Sequence, residues 1–178
     1  MCGIAGIIYR NGNGGRPLGA DMTRMLQSMK HRGPDSTGYA LYGPASDLVL
    51  VRFTLADAND PRDFEFTERL ERSGHRFQSE CDSEIIAVYL AEKMSEGLSL
   101  EESMNASLDD LDGVFTYICV TGDALGVAKD EMAAKPLVLY EGDDMVALAS
   151  EEIAIRAIID HEIETYDPYE REVLVWTR

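Results

Sequence analysis

Lysine is scarce in this chain of 178 residues, with Lys30, Lys93, Lys129 and Lys135 its only representatives. Sixteen Lys+Arg stand against 33 Asp+Glu, a formal net charge of −17. Such a balance repels phosphate backbones and anionic lipid surfaces, so neither nucleic acid nor membrane is expected as a partner. Cysteine is sparse too. Cys2, Cys81 and Cys119 are an odd number at wide spacing, which fits reduced thiols rather than a disulfide framework. His31, His75 and His161 do not join them at metal-ligand spacing, so no metal site is expected. A run of eighteen apolar residues and a charged-then-apolar leader are both missing, and a cytoplasmic location is the resulting expectation. The turn-rich Asn11-Gly12-Asn13-Gly14-Gly15 has no Gly-Lys-Ser/Thr ending, so it reads as a connector, and no nucleotide or other cofactor is implied.

What is present begins with Met1-Cys2-Gly3-Ile4-Ala5-Gly6-Ile7-Ile8. Removal of Met1 would leave a thiol and a free α-amine on one residue. With unperturbed pKa values of about 8.5 and about 7.7–8.0, the amine can take the thiol's proton near neutral pH and return it to a leaving group. Catalysis then needs no histidine. Gly3 and Gly6 would let the backbone approach a substrate, and Ile4, Ile7 and Ile8 read as a buried strand that holds the terminus still. Met-Cys at a start also arises by chance.

The length suits a single domain over residues 1–178 with a real core. The pattern predicts a strand over 3–9, then a helix from Asp21 with Met22, Met25, Leu26 and Met29 on one face. Strands are expected over 38–42 and about 48–55, and a short helix over 66–71 with Gly74 as its C-cap. Asp82 stands where a helix N-cap belongs, ahead of Ile85, Ile86, Tyr89 and Leu90. Ser99 and Glu102 form a capping box for a helix burying Leu100, Met104, Leu108 and Leu111. Strands over 114–120, 125–128, 137–140 and 145–149 follow, then a helix over 151–159 capped by Ser150, and a final strand over 173–176. Strands in two groups with helices between predict an α+β fold, two stacked sheets covered on both outer faces.

A second stretch, Lys30-His31-Arg32-Gly33-Pro34-Asp35-Ser36-Thr37-Gly38, joins the opening residues to carry a specific likeness. Together they resemble the class II glutamine amidotransferases, N-terminal-nucleophile hydrolases that take ammonia from the glutamine side chain. Cys81-Asp82-Ser83-Glu84, Asp112-Gly113-Val114-Phe115, Ala128-Lys129-Asp130 with Lys135-Pro136-Leu137, and Val146 to Glu151 add to it. The chain is most similar to the separate amidotransferase subunits of split glutamate synthases and N-methylglutamate synthases. The resemblance implies an abbreviated four-layer αββα sandwich, a Cys2 nucleophile and a substrate site that includes Gly3 and Arg32. It also implies that Asp82 receives the α-ammonium of glutamine, a role compatible with helix capping. Arg32 reads equally as a turn arginine pairing with nearby carboxylates, and His31 as a helix C-terminal residue favoured by the dipole.

The family also carries an Arg-aromatic-x-Thr segment for the substrate carboxylate and a His-Asn-Gly run for the oxyanion hole. Here only residues 56–80 lie between the neighbouring landmarks, and no His-Asn-Gly occurs. Arg52-Phe53-Thr54 echoes the first, with Arg52 as carboxylate partner or as an ordinary outward strand residue; Arg62 and Asn59 are further substitutes without motif support. Two functions remain. One is a glutaminase subunit passing ammonia to a separate glutamate-synthase-like partner; the other is a degenerate fold with a structural or regulatory role. Hydrolysis of another amide is a third, and the oligomeric state is open.

Few lysines and many carboxylates suit either a salt-rich cytoplasm, where screening reduces self-repulsion, or an ordinary acidic surface. Unfolding followed against salt concentration separates them: stability climbing steeply with salt marks halophilic adaptation, and a flat response removes it.

Overall fold

Alternation of side chains along the six short strands among the described residues dictates the layering. In the computed structural model, which describes residues 3–10, 15–32, 68–77 and 84–177, β1 is Ala5–Tyr9, β2 Thr116–Val120, β3 Ala124–Lys129, β4 Val138–Glu141, β5 Met145–Ala149 and β6 Val173–Thr177. The helices are α1 Leu18–Ser28, α2 Glu84–Ser95, α3 Leu100–Asp110 and α4 Glu152–Arg156, with a 3₁₀ turn at Lys30–Arg32 and helical residues at 68–72. One sheet has the order β1-β5-β4 and the other β2-β3-β6. All four pairings are antiparallel.

Period-two geometry sends successive side chains to opposite faces of a strand. On β5, Met145, Ala147 and Ala149 meet α1 and α4, with Tyr9, Met25, Met29 and Ile155 among their neighbours. Val146 and Leu148 point the other way, where they join Ile8, Leu125, Val127, Leu137, Leu139 and Trp176 between the sheets. Beyond the second sheet, Tyr117, Cys119, Ala124 and Ala128 pack on Ile86, Tyr89, Leu90, Leu100 and Met104 from α2 and α3. The result is helices, sheet, sheet, helices: the four-layer α+β sandwich that the resemblance implies.

Two of the local signals hold. Ser99 accepts from the Glu102 backbone while the Glu102 carboxylate accepts from Ser99 N, so the capping box is complete. Gly74 takes φ +96° and His75 N donates to Leu70 O at 3.1 Å, closing the turn after residues 68–72. The helix expected from Asp21 starts earlier. Pro17 O accepts from Ala20 N and Asp21 N, so Leu18 opens α1 and Asp21 lies in its first turn. Its carboxylate is buried and accepts from the Tyr9 hydroxyl. Burial, then Asp21, raises the pKa of that phenol.

The strands expected over 38–42 and 48–55 lie outside the described residues. Ala128-Lys129-Asp130 has a structural task at the end of β3. Buried Asp130 accepts from Phe115 N and from Ala133 N, each at 2.7 Å, and buried Lys129 donates to Pro168 O at 3.2 Å. Three loops are thereby tied together without exposing unpaired polar groups.

Gly126 marks a tight contact between a sheet and its helices. A Cβ there would lie 2.5 Å from Met104 Sδ and 3.4 Å from Val175 Cγ2, and Met104 has no exposed surface to retreat into. Gly126→Val should therefore lower stability by about 1–3 kcal/mol, read as the urea midpoint at constant slope. Adding Met104→Ala should recover part of the loss; an unshifted midpoint in the single variant would show that the layer is looser than these distances require.

Candidate active site

Among the described residues strand β1 is the outermost of its sheet, and the register of its pairing with β5 leads directly to the residues before it. Ala5 faces Ala149, so Ile4 stands opposite Ser150. Ser150 N donates to Ile4 O at 2.9 Å, the ordinary ladder bond. Ile4 N, in turn, donates to Ser150 Oγ at 2.9 Å. A side-chain oxygen thus takes the place of a backbone carbonyl, which frees the chain to leave the sheet into α4 while still holding Ile4 on both sides.

This corrects the reading of Ser150 as a helix cap. The N-cap position of α4 belongs to Glu151, and it makes no side-chain cap bond. A helix start usually gains about 1 kcal/mol from such a bond. Here both polar side chains at the helix start serve other partners. Glu151 Oε1 accepts from Arg32 Nη1 at 2.7 Å, and His31 Nε2 lies 3.1 Å from Glu151 Oε2.

Arg32 comes from the 3₁₀ turn that follows α1, a helix whose apolar face is packed on the same sheet side as α4. Packing of Met25, Met29 and Ile155 therefore sets the distance between Arg32 and Glu151. The Arg32 stem covers Gly3: a Cβ built on Gly3 would lie 3.3 Å from Arg32 Cβ and 3.4 Å from Arg32 Cδ. Only 11% of the Arg32 side chain is exposed. Among the described residues, its Nε is the buried side-chain nitrogen left without a hydrogen-bond partner. Its guanidinium and the His31 ring hold the Glu151 carboxyl below the usual carboxylate range, with the Arg32 hydrogen bond the largest cause.

Of the site residues singled out from sequence, Gly3 and Arg32 are thus in contact, and the reading of Arg32 as a turn arginine that pairs with a carboxylate is what the geometry shows. Cys2, Arg52 and Asp82, with Asn59 and Arg62, lie outside the described residues. Gly6 has no part in a substrate surface. It faces the space between the sheets, where an added Cβ would meet Leu148 Cδ1 at 3.1 Å and Leu125 Cδ1 at 3.5 Å. Cys119 is buried, and burial pushes its thiol up to about 12, so it remains protonated and inert at neutral pH. Glu151 and Ser150 had no assigned role beyond the likeness and the cap; their partners are more than a hundred residues away, where no spacing rule reaches. Among the described residues no group of three His, Cys, Asp or Glu could hold a metal ion, and no helix is long and apolar enough to cross a membrane.

A family profile described as a glutamine amidotransferase domain matches residues 62–157. A protein of Methanothermobacter thermautotrophicus, provisionally named a glutamine amidotransferase, is 27% identical over 303 aligned positions covering 97% of this chain and 99% of that protein. Because this chain has 178 residues, more than a hundred of those 303 positions have no counterpart in it. A glutamine amidotransferase-like protein of Rhizobium meliloti is 37% identical over 137 residues, covering 76% of this chain and 44% of the other. The chain therefore spans less than half of that relative. A solved glutamine phosphoribosylpyrophosphate amidotransferase from B. subtilis superposes with a TM-score of 0.55 at 24% identity, over 64% of this chain and 24% of that one. That likeness is one of fold, a layered α+β sandwich with paired antiparallel sheets. By the profile match across more than half its length, the chain belongs to the glutamine amidotransferase domain family.

Proposed function

We propose that this chain is a class II glutaminase subunit, a single domain whose Cys2, freed of Met1, attacks the carboxamide carbon of glutamine. The α-amine of Cys2 takes the thiol proton, the sulfur–carbon bond forms, and the same proton goes to the departing ammonia as the carbon–nitrogen bond breaks. Water then cleaves the thioester, releasing glutamate and restoring the thiol. Asp82 receives the substrate ammonium and Arg52 its carboxylate; Gly3 and Arg32 form the floor. Ammonia passes to a separate glutamate-synthase-like subunit in the cytoplasm.

The observation that carries this reading is the hold on the start of β1. Ile4 is bonded through both its N–H and its C=O to Ser150, and Gly3 lies under Arg32. A nucleophile at residue 2 needs this kind of fixed backbone, because positioning supplies a large part of the rate. The orphaned Arg32 Nε adds support, since a buried donor without an acceptor suits a group that meets one when substrate binds.

A second reading, a degenerate subunit that binds without hydrolysing, is favoured by the stretch of the M. thermautotrophicus relative that has no counterpart here and by the missing His-Asn-Gly run. One lost oxyanion donor costs about 2.7–4 kcal/mol of transition-state stabilisation. Turnover by the isolated chain should accordingly be slow and rise when the partner completes the site. Intact mass should show Met1 removed, and Cys2→Ala should cut glutamate release by about 10³-fold or more. Equal release by wild type and Cys2→Ala, alone and with the partner, would decide for the degenerate subunit.

A further inference from the structure

We propose that Glu151 is a positioning residue for the amino-terminal nucleophile, acting through Arg32 on the backbone at Gly3. The inference rests on the proposed glutaminase reading and adds a residue to it. Three features of the structure converge on Glu151. It occupies the N-cap position of α4, yet its carboxylate is not used to cap the helix. Instead it accepts from Arg32 Nη1 at 2.7 Å and sits 3.1–3.2 Å from His31 Nε2 through both oxygens. The guanidinium it neutralises belongs to a side chain that is largely buried and whose stem lies directly over Gly3.

The physical consequence follows from the chemistry of arginine. A guanidinium cannot shed its proton at any ordinary pH, and a buried charge deprived of its counter-ion is strongly disfavoured. Among the described residues the ion-pair partner of Arg32 is Glu151. Without that carboxylate the guanidinium swings toward water, the stem leaves Gly3, and the residue bonded to Gly3 loses its support. Displacement of a reacting group by about 1 Å can cost about 10²-fold in rate. In the proposed site the Arg32 cation also favours the Cys2 thiolate, so moving it away slows alkylation of the thiol. Glutamine itself would still be held by its ammonium and carboxylate contacts, so the loss should fall on kcat.

The test compares wild type, Glu151→Ala, Glu151→Gln, Arg32→Ala and the double variant Arg32→Ala/Glu151→Ala. Glutamate release gives kcat and KM, iodoacetamide labelling read at the Cys2 peptide gives thiol reactivity, and urea unfolding shows that each variant is folded. Glu151→Ala should lower kcat by about 10–100-fold with KM within about threefold. It should also slow labelling of Cys2 at least about threefold. Glu151→Gln keeps an oxygen for Arg32 Nη1 without the charge and should fall between; it decides the matter if the alanine variant does not fold. The double variant should be no slower than Arg32→Ala, because the two residues act as one unit. Wild-type kcat and labelling in both Glu151 variants, or a double variant that multiplies the two single losses, would overturn the proposal. If wild type releases no glutamate either alone or with the partner, the glutaminase reading fails separately, and the labelling rates alone decide whether Glu151 positions Cys2.

Discussion

Strand β5 is the constraint on which the rest of the molecule depends. Met145, Val146, Ala147, Leu148 and Ala149 are all buried, so the strand has no solvent face and must be covered by helices on one side and the second sheet on the other. Its hydrogen-bonding edges are taken by β1 and β4. A one-residue slip would exchange Met145, Ala147 and Ala149 for Val146 and Leu148 at each packing surface, and the two spaces differ in what they accept. Small Ala147 and Ala149 admit the helices closely, while Val146 and Leu148 fill the gap between sheets. Fixing the register of β5 fixes β1, and with it the place where Gly3 and Ile4 leave the sheet.

The acidic surplus has little to do with this core. Arginine pairs such as Arg72 with Glu68 and Arg156 with Glu152 are solvent-exposed, where an ion pair contributes about 0–1 kcal/mol and is screened by salt. The buried carboxylates are another matter. Asp21 is tied to the Tyr9 hydroxyl and approached by Arg24 and Arg16; Asp130 accepts two backbone N–H groups. Each joins segments that are distant in sequence or of irregular backbone, a task that apolar packing performs with less directional control.

Much of the sandwich was legible because its determinants are local. Short β-rich runs placed β3 to β6 within a residue or two, and β5 at its observed limits, while Ser99 and Glu102 announced α3 by a spacing of three. The start of α1 was missed by three residues because Pro17 supplies its carbonyl to the first turn without any side-chain cap, whereas Asp21 has the composition of a cap and is spent on Tyr9. Ser150 was misread for a similar reason. A serine ahead of a helix has a strong local explanation, and nothing in its neighbours shows that an amide 146 positions earlier competes for the hydroxyl. Gly3 was singled out for its missing side chain and Arg32 through the likeness to a family, but the contact between them depends on how α1 and α4 pack, which no window of sequence contains.

The contact between Gly3 and Arg32 bears on how the end of a strand is held in place. If Cys2 is the mature terminus, its backbone is restrained from one direction only, through Gly3. An interior residue is held by the chain on both sides; a terminal one must be held by tertiary contacts to the residues that follow it. Those contacts here are layered along the chain: Ile4 by paired hydrogen bonds to Ser150, then Gly3 by the stem of Arg32, then Arg32 by Glu151. Each successive hold is less like secondary structure and more dependent on charge. A side chain at position 3 would push against the Arg32 stem, so the absence of a Cβ at Gly3 and the presence of a carboxylate at Glu151 serve a single requirement, close approach of one particular arginine stem to one particular peptide. Loss of either would leave the sandwich standing and its first residues unheld.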